Sequence, residues 1–350
     1  MGWVQRTLGG VALAGLVVGC GGSTRDDDAA SVGMVPADDG PSAGDSTGGS
    51  STGPAPVTPE PDKLDVGNGM PTGSAGDLES MPCKKVDLLF VIDSSGSMDD
   101  EQANLVASFP NFIDTMRDEL AETDGYNVAV IRTDNNDISC EPNRYGVFVT
   151  RNYTVGSSQA TCTPYASDLR YMTQEDDLDV TFECAARVGI GGDGDERPMQ
   201  ALMSALSSPN TDVGDCNEGF LRDDALLIVV VITDEEDDHE TEAEACNGKG
   251  QPGSDGEPAD WFDAIVAAKG GVEGNVVVLS LVGPTGADAC PPLDKCDGGL
   301  VGAEPTPRLI EFTEMFTYGY VGAVCGDYEP FFDEAVGAIK SACDDFTTPG

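Results

Sequence analysis

The chain has 350 residues, and its 18 Lys and Arg against 63 Asp and Glu give a formal net charge of −45. Such a surface repels nucleic acid and anionic lipid head groups and attracts divalent cations and basic partners, so a nucleic-acid partner is excluded. The length suits one large domain with tails or two small domains.

The first 20 residues have the pattern of an export signal. Arg6 supplies the positive charge, and residues 8–18 form an apolar run too short to span a bilayer. The run ends in Val17-Val18-Gly19-Cys20, which resembles the cleavage box of bacterial lipoproteins. This resemblance implies that Cys20 is lipidated and anchors the chain to the cell envelope, with Gly21 favouring the outer membrane. The alternative is a plain secretory signal in which Cys20 is incidental.

Residues 21–81 are rich in Gly, Ser, Thr, Pro, Asp and Ala and hold almost no large apolar side chain. Such a segment buries too little surface to offset its chain entropy. We expect a flexible tether, with a typical span of about 40–45 Å for about 60 residues. The folded domain is expected over residues 82–346.

An apolar run at residues 86–92 ends on Asp93, followed by Ser95 and Ser97 at alternate positions. The run predicts a strand buried on both faces of a parallel sheet. Ligands bind at the carboxyl ends of such strands. One carboxylate and two hydroxyls are oxygen ligands, which suit Mg²⁺ or Ca²⁺.

The motif Asp93-Ser-Ser95-Gly-Ser97-Met98, after Asp-Leu-Leu-Phe-Val-Ile, resembles the first loop of the metal-ion-dependent adhesion site of von Willebrand factor A domains. The resemblance extends in strand order over residues 83–343. It implies a doubly wound, mostly parallel α/β sheet with helices on both faces, and a divalent cation that captures a protein partner. The bland alternative is a serine-rich helix cap.

Downstream, the elements alternate between helix and strand. A first helix carries apolar residues at helical spacing, but Pro110 is expected to kink or split it near Ser108. A strand is predicted at residues 126–134, and residues 135–195 form a cysteine-containing insertion with a hairpin near residues 145–153. The remaining predictions are helices at 198–206, 258–268, 307–316 and 330–343, and strands at 225–233, 275–282 and 319–324.

The strand at residues 225–233 is the most apolar and is expected to be central. Alternation of strands and helices predicts right-handed crossovers and a parallel sheet. The sequence has no Gly-x-Gly-x-x-Gly after the first strand and no Walker motif, and Asp93 stands in the turn that would hold phosphate. These features argue against a nucleotide.

The family resemblance implies two further ligand loops. Thr233-Asp234 matches the family's Thr-Asp-Gly, with Glu235 in place of the glycine, so Asp234 is carried over as a ligand. The family's threonine is absent, and Glu196 stands at its position. The predicted metal site is therefore Asp93, Ser95, Ser97, Asp234 and Glu196. A third carboxylate favours Ca²⁺ over Mg²⁺ and weakens attraction for an acidic ligand.

Two points stay open at this stage. Glu196 is either a ligand or a helix N-terminal carboxylate stabilised by the helix dipole. The acidic run at residues 234–240 is either a second cation site or a solvated rim, and we favour the rim.

Cysteine number supports export. Setting aside Cys20 leaves an even number of the 11 cysteines, as in a disulfide framework. Cys290 and Cys296 are close enough in sequence to pair locally. In the resembled family the first strand starts, and the last helix ends, opposite the metal, which implies a Cys83–Cys343 bond.

Three functions compete. The leading one is a non-enzymatic, lipid-anchored module that captures a protein partner, through a carboxylate of the partner, at the cation. The second is an envelope scaffold rigidified by metal and disulfides, whose partner surface lies elsewhere. The third, a metal-dependent hydrolase, is disfavoured because His239 is the only histidine and no second ligand set is recognisable.

Overall fold

The computed structural model describes residues 83–119, 123–134, 140, 145–192, 196–242, 249–286, 290–293 and 301–348. All of them belong to the second of the chain's two compact units, residues 72–350. The predicted signal with Cys20, the whole predicted tether at residues 21–81 and residue 82 of the predicted domain lie outside the described residues. None of the helices in the described part of the chain has the length and apolar character needed to cross a membrane.

The strands alternate with helices along the chain. The strands are β1 (Lys85–Ile92), β2 (Gly125–Arg132), β3 (Arg151–Asn152), β4 (Ala160–Thr161), β5 (Met172–Thr173), β6 (Ala225–Ile232), β7 (Val276–Val282) and β8 (Gly319–Ala323). The helices are α1 (Asp99–Glu119), α2 (Leu178–Ala186), α3 (Pro198–Ala205), α4 (Pro258–Ala268), α5 (Pro307–Glu314) and α6 (Tyr328–Asp344), with a short 3₁₀ turn at Glu273–Asn275.

Six strands form one sheet in the order β5-β2-β1-β6-β7-β8. All neighbours are parallel except β5, which pairs antiparallel with β2 at one edge. The predicted central position of β6 is confirmed, since it lies between β1 and β7. The order of connection reverses between β1 and β6, and such a switch point is where open α/β sheets bind ligands.

Helices cover both faces of the sheet. Alternate residues of β1 point to opposite sides: Phe90 packs in the core beneath α1, α2 and α6, and Leu89 packs in the core beneath α3, α4 and α5. Two-sided burial explains why β1 and β6 are almost continuously apolar. The predicted fold class, a doubly wound and mostly parallel sheet, is confirmed.

The prediction for Pro110 was a kink or a split of the first helix, and the split is wrong. Helix α1 is continuous from Asp99 to Glu119 with the proline inside it. The buried residues on both sides of the proline, including Phe109 and Phe112, lie in the same core. Packing of one continuous face therefore outweighs the backbone hydrogen bond that the proline removes.

The predicted hairpin at residues 145–153 is also displaced. The observed hairpin pairs β3 with β4, Arg151 opposite Thr161. The apolar segment before it goes into the core instead, because Val149 donates its backbone N–H to Val130 at 2.8 Å and Phe148 is fully buried. The cysteines of the insertion form disulfides, Cys162–Cys184 within it and Cys140–Cys216 to the segment after α3.

Four cysteine pairs are bonded within the described residues: Cys83–Cys343, Cys140–Cys216, Cys162–Cys184 and Cys290–Cys325. The first confirms the pairing implied by the family resemblance. The predicted local pair of Cys290 with Cys296 is wrong. The chain after Cys290 runs beside Ala303, and the backbone N–H of Cys325 lies 3.3 Å from the Cys290 sulfur, so the loop is fastened to the end of β8. Cys296 itself lies outside the described residues.

Removal of the Cys83–Cys343 disulfide tests how much this bond contributes to stability. The Cys83–Cys343 bond spans 260 residues of sequence, so replacing both cysteines by alanine should lower the free energy of unfolding by about 3–5 kcal/mol. Urea unfolding measures the loss. The matched control removes Cys162–Cys184, which spans 22 residues and should cost about 2 kcal/mol less in the chain-entropy model. Equal losses would contradict the expectation.

Candidate metal centre

The parallel register brings three strand ends to one level. Ile92 of β1 lies opposite Arg132 of β2 on one side and Ile232 of β6 on the other. The residues that follow each strand therefore meet at one edge of the sheet, at the switch point. They are Asp93, Thr133 and the pair Thr233-Asp234.

Asp93 is completely buried at this edge. One carboxylate oxygen accepts a hydrogen bond from the backbone N–H of Ser95, and the other accepts one from the Thr233 hydroxyl, both at 2.6 Å. The backbone N–H of Asp93 donates to the Ile232 carbonyl at 3.0 Å. The carboxylate is thus held rigidly by β1 and β6 together.

The loop after Asp93 places the two predicted hydroxyl ligands side by side. The Oγ atoms of Ser95 and Ser97 are 3.2 Å apart, and both serines are buried. Gln102 of α1 fixes this loop, because its amide nitrogen donates to the carbonyls of Asp93 and Gly189 at 3.0 Å each. Its amide oxygen accepts from the Gly189 N–H, which ties the insertion to the centre.

Glu196 lies inside the cluster. It is 2% exposed, and one of its oxygens accepts a hydrogen bond from the Thr133 hydroxyl, while Oε1 has no hydrogen-bond partner. Its carboxyl lies within range of the negative charge of Asp93. The side chain that accepts a hydrogen bond from the first turn of α3 is that of Asp237, whose Oδ2 accepts from the N–H of Met199 at 2.9 Å.

Asp234 is the least satisfied group of the set. It is fully buried, and neither of its carboxylate oxygens makes a hydrogen bond. The charge of Asp234 reaches Glu101 of α1 and Tyr328 of α6. Both residues are also buried, and each has an oxygen without a partner. The edge of the sheet therefore concentrates buried oxygens that lack donors.

Burial raises the pKa of every carboxyl in the centre. Burial and then the negative charge of Asp93 raise the pKa of Asp234 to about 8. The same two causes raise the pKa of Glu196 well above its ordinary value. Burial also raises the pKa of Asp93, although its hydrogen bonds from Thr233 and Ser95 oppose that change. Each group is held where a negative charge is costly without a counter-charge.

The donor set fits a hard divalent cation. All the side-chain atoms are oxygens, and the oxygens without partners on Glu196 and Asp234 are available to an ion. Over the described ranges, no three or more Asp, Glu, His or Cys side chains are pre-arranged as a metal-binding group. The serine hydroxyls would therefore have to complete any coordination shell.

The acidic run at residues 234–240 is not a simple solvated rim. Asp238 and His239 are exposed, but Asp234 and Asp237 are buried. Asp237 accepts hydrogen bonds from Ser254 N and Oγ, both at 2.7 Å, in addition to the bond from Met199. Its role is to join α3 to the loop before α4, which sequence spacing alone does not reveal.

Thr133 and Thr233 are the residues of the candidate centre that sequence reasoning missed, and they donate hydrogen bonds to Glu196 and Asp93. Thr133-Asp134 follows β2 as Thr233-Asp234 follows β6, so the same dipeptide ends the two strands that flank β1. Asp134 contacts the centre as well, by accepting a hydrogen bond from Ser94 at 3.0 Å. This repeat was the signal that could have identified both threonines.

The opposite edge of the sheet holds a buried carboxylate of a different kind. Asp87 is fully buried, but Arg222 donates to it from Nε and from its backbone N–H, both at 2.7 Å. Lys269, also buried, donates to the Arg222 carbonyl at 2.6 Å. The carboxylate on this edge is paired with a cation, whereas none of the described ion pairs involves Asp93, Glu196 or Asp234.

Comparison with known proteins gives structural likeness only. The sequence matches no protein-family model and no curated protein. Proximal thread matrix protein 1 of the mussel byssus is 11% identical, with a TM-score of 0.39 over 74% of this chain and 49% of that one. A von Willebrand factor type A protein from Catenulispora acidiphila is 14% identical, with a TM-score of 0.34 over 73% of this chain and 43% of that one.

A third structure, the PilB minor pilin from Streptococcus sanguinis, is 11% identical, with a TM-score of 0.33 over 75% of this chain and 62% of that one. The present chain thus spans less than two thirds of the length of each of these structures.

The buried carboxyl of Asp234 predicts an unusual dependence of stability on pH. With a folded pKa of about 8, Asp234 keeps a proton that the unfolded chain releases above about pH 4. Without metal, its contribution is full below about pH 4 and is lost as the pH rises through 8, with a slope of up to about 1.4 kcal/mol per pH unit. The free energy of unfolding of Asp234→Asn should depend less on pH than that of the wild type. Urea unfolding in chelator from pH 5 to 9 checks this, and identical slopes would contradict it.

Proposed function

We propose that this chain is a lipid-anchored binding module of the cell envelope. It captures a protein partner through a divalent cation held by Asp93, Ser95, Ser97, Asp234 and Glu196. Lipidated Cys20 anchors the chain to the membrane, and residues 21–81 form the tether between this anchor and the domain. The module is not an enzyme.

The observation that carries the proposal is a set of buried carboxylates for which the described part of the chain supplies no counter-charge. Asp93, Glu196 and Asp234 are each no more than 2% exposed, and three of their oxygens have no hydrogen-bond partner. An ionised carboxylate in such a place is strongly unfavourable unless a cation compensates it. Natural proteins keep costly groups of this kind mainly where they serve a function.

The chemistry of the ligands supports calcium. Three carboxylates and two hydroxyls exceed what the near-octahedral and partly hydrated shell of Mg²⁺ usually takes from protein. When bound, the ion supplies a positive charge that can accept a carboxylate oxygen of the partner. Thr233 and Thr133 hold Asp93 and Glu196 in fixed positions, so the centre is ordered by β2 and β6 rather than by the ion alone.

The disulfides support an exported location. Four bonded pairs within the described residues are typical of an oxidising compartment. The resemblance to a lipoprotein signal at Cys20 agrees with this and adds attachment to the envelope, with the outer membrane favoured.

One observation favours a second candidate, a metal-rigidified scaffold. All five predicted ligands are buried, and the third carboxylate, Glu196, lies within range of the charge of Asp93. Three negative charges around a divalent ion leave it a poor attractant for an acidic partner. In this alternative the ion stabilises the domain and the partner binds elsewhere.

Loss of Asp93 separates the two candidates. We expect Ca²⁺ to raise the melting temperature of the wild type relative to chelator, and Asp93→Asn to abolish this shift because it removes a central anionic ligand. Chelated Asp93→Asn should be at least as stable as chelated wild type, since a buried charge is gone. Capture of envelope proteins by immobilised domain, in Ca²⁺, Mg²⁺ or chelator, is measured in parallel.

Capture that disappears with both chelator and Asp93→Asn supports the binding module. Capture that survives both, with the calcium shift still lost in the variant, supports the scaffold. The control is Asp263→Asn, which changes an exposed carboxylate on α4 and should leave both readouts unchanged.

Replacement of Glu196 by threonine tests its part in the site. If it is a ligand, Glu196→Thr removes one anionic oxygen and should weaken Ca²⁺ binding by about tenfold, which is about 1.4 kcal/mol. Affinity for a carboxylate-bearing partner should stay level or rise, because the ion keeps more of its charge. Isothermal titration of Ca²⁺ into both proteins measures the change, and equal dissociation constants would remove Glu196 from the site.

A further inference from the structure

The insertion contacts the candidate centre through its last described stretch, residues 187–192, which we name the return segment. The backbone N–H of Gly192 donates to the carbonyl of Ser94 at 2.9 Å. Ser94 lies within residues 93–98, which we name the ligand loop because three of the predicted ligands are on it. A Cβ at Gly192 would collide with the Ser94 hydroxyl, so glycine is needed for this close approach of the two backbones.

Gln102 of α1 joins the ligand loop to the return segment a second time. It is 4% exposed, and its amide makes three hydrogen bonds of 3.0 Å each. Nε2 donates to the carbonyls of Asp93 and Gly189, and Oε1 accepts from the N–H of Gly189. A side-chain amide can donate twice and accept at the same time, so Gln102 uses this capacity to hold the two backbones in one arrangement.

The return segment is in turn fastened to the rest of the insertion. The backbone N–H of Ile190 donates to the Val155 carbonyl, in the turn between β3 and β4, at 2.8 Å. The Cys162–Cys184 disulfide ties the residue after β4 to α2, and the chain runs from α2 into the return segment. A displacement of the hairpin or of α2 would therefore reach the ligand loop through the return segment and Gln102.

These contacts support the ligand loop without using the atoms that would bind an ion. Gln102 bonds the backbone carbonyl of Asp93, and Gly192 bonds the backbone carbonyl of Ser94. None of the described hydrogen bonds from Gln102 or the return segment goes to a side-chain oxygen of a predicted ligand. The docked insertion and a bound cation would thus favour the same conformation of the ligand loop and would not compete for it.

We propose that the insertion regulates cation binding at the candidate centre, with Gln102 as the positioning residue that transmits this control. The inference rests on the proposed function and adds a means of regulating the same site. When the insertion is docked, the ligand loop is held in the conformation that gathers its oxygen ligands. When the insertion is displaced, the loop loses these bonds and its affinity for the cation falls. Linkage requires the converse, so a bound cation strengthens the docking of the insertion.

Replacement of Gln102 by methionine tests the transmission. Methionine has a similar length and no charge, and it removes all three hydrogen bonds of the amide. Gln102→Met should weaken Ca²⁺ binding about tenfold in isothermal titration. The matched control is Gln174→Met, because Gln174 also belongs to the insertion but accepts its hydrogen bond from the Tyr126 N–H, near the start of β2, at 3.2 Å. Its Ca²⁺ affinity should equal that of the wild type, and equal affinity in Gln102→Met would overturn the proposal.

A variant that leaves Gln102 and the ligand loop intact tests the insertion itself. Cys162→Ala with Cys184→Ala loosens the insertion at a distance and should weaken Ca²⁺ binding about fivefold. Removal of Cys83–Cys343, at the opposite edge of the sheet, costs more stability but should leave the affinity unchanged. Unchanged affinity without Cys162–Cys184 would overturn regulation by the insertion. Equal losses in the two disulfide variants would also overturn it, since general destabilisation would then explain both.

Hydrogen exchange separates coupling from a purely structural contact. In the wild type, Ca²⁺ should slow amide exchange in the ligand loop, in the turn at residues 153–158 and in the return segment. In Gln102→Met, saturating Ca²⁺ should still protect the ligand loop but should no longer protect the other two segments. A structural contact alone would give the insertion the same exchange rates with and without Ca²⁺, which would contradict the proposal.

The same measurement distinguishes this inference from the proposed function. Protection of the ligand loop without protection of the insertion refutes the coupling and retains the cation site. Absence of protection in both refutes the cation site and the coupling with it. Protection of both, together with capture of envelope proteins that ignores metal, retains the coupling and refutes capture through the ion.

Discussion

The burial of three like charges at one edge of the sheet is the constraint on which the rest of the structure depends. Asp93, Glu196 and Asp234 converge because β1, β2 and β6 end in register and the loop before α3 turns back over them. Without a counter-charge such a cluster is unfavourable, and burial raises the pKa of each member. The surroundings therefore hold it in place by other means. Thr233 binds Asp93, Thr133 binds Glu196, and Gln102 fastens the serine loop to the insertion.

Each edge of the sheet holds a buried carboxylate, but the hydrogen-bond donors that surround it differ between the two edges. Asp87 at the amino edge is neutralised by Arg222, and the Cys83–Cys343 bond closes the domain at the start of β1 and the end of α6. Burial still raises the pKa of Asp87 to about 6, with Arg222 opposing it. Asp93 stands one strand length away at the carboxyl edge and has hydroxyl and N–H donors only. The amino edge contributes to stability through this ion pair and disulfide. At the carboxyl edge the buried carboxylates would be compensated by a bound cation.

Sequence patterns predicted the features that depend on neighbouring residues in the chain. They failed for features that are determined by contacts between distant parts of the chain. The apolar runs of β1 and β6 and the prolines that begin α3, α4 and α5 were enough for the sheet and for helices on both faces. Asp93, Ser95, Ser97, Asp234 and Glu196 could be selected by motif and spacing, and the structure brings them to one edge. The continuity of α1 through Pro110, the bond of Cys290 to Cys325 and the capping of α3 by Asp237 arise from tertiary packing, so they leave no signal in local sequence.

Glu196 links the composition of the candidate centre to the kind of partner that it could bind. Under the proposed function, a threonine at this position would leave the bound ion with excess positive charge, and a carboxylate would nearly cancel that charge. A glutamate that holds the ion more firmly would therefore weaken the pull of the ion on an acidic partner. Part of the binding energy would then have to come from contacts away from the ion, so such a module would select its partner by more than one carboxylate.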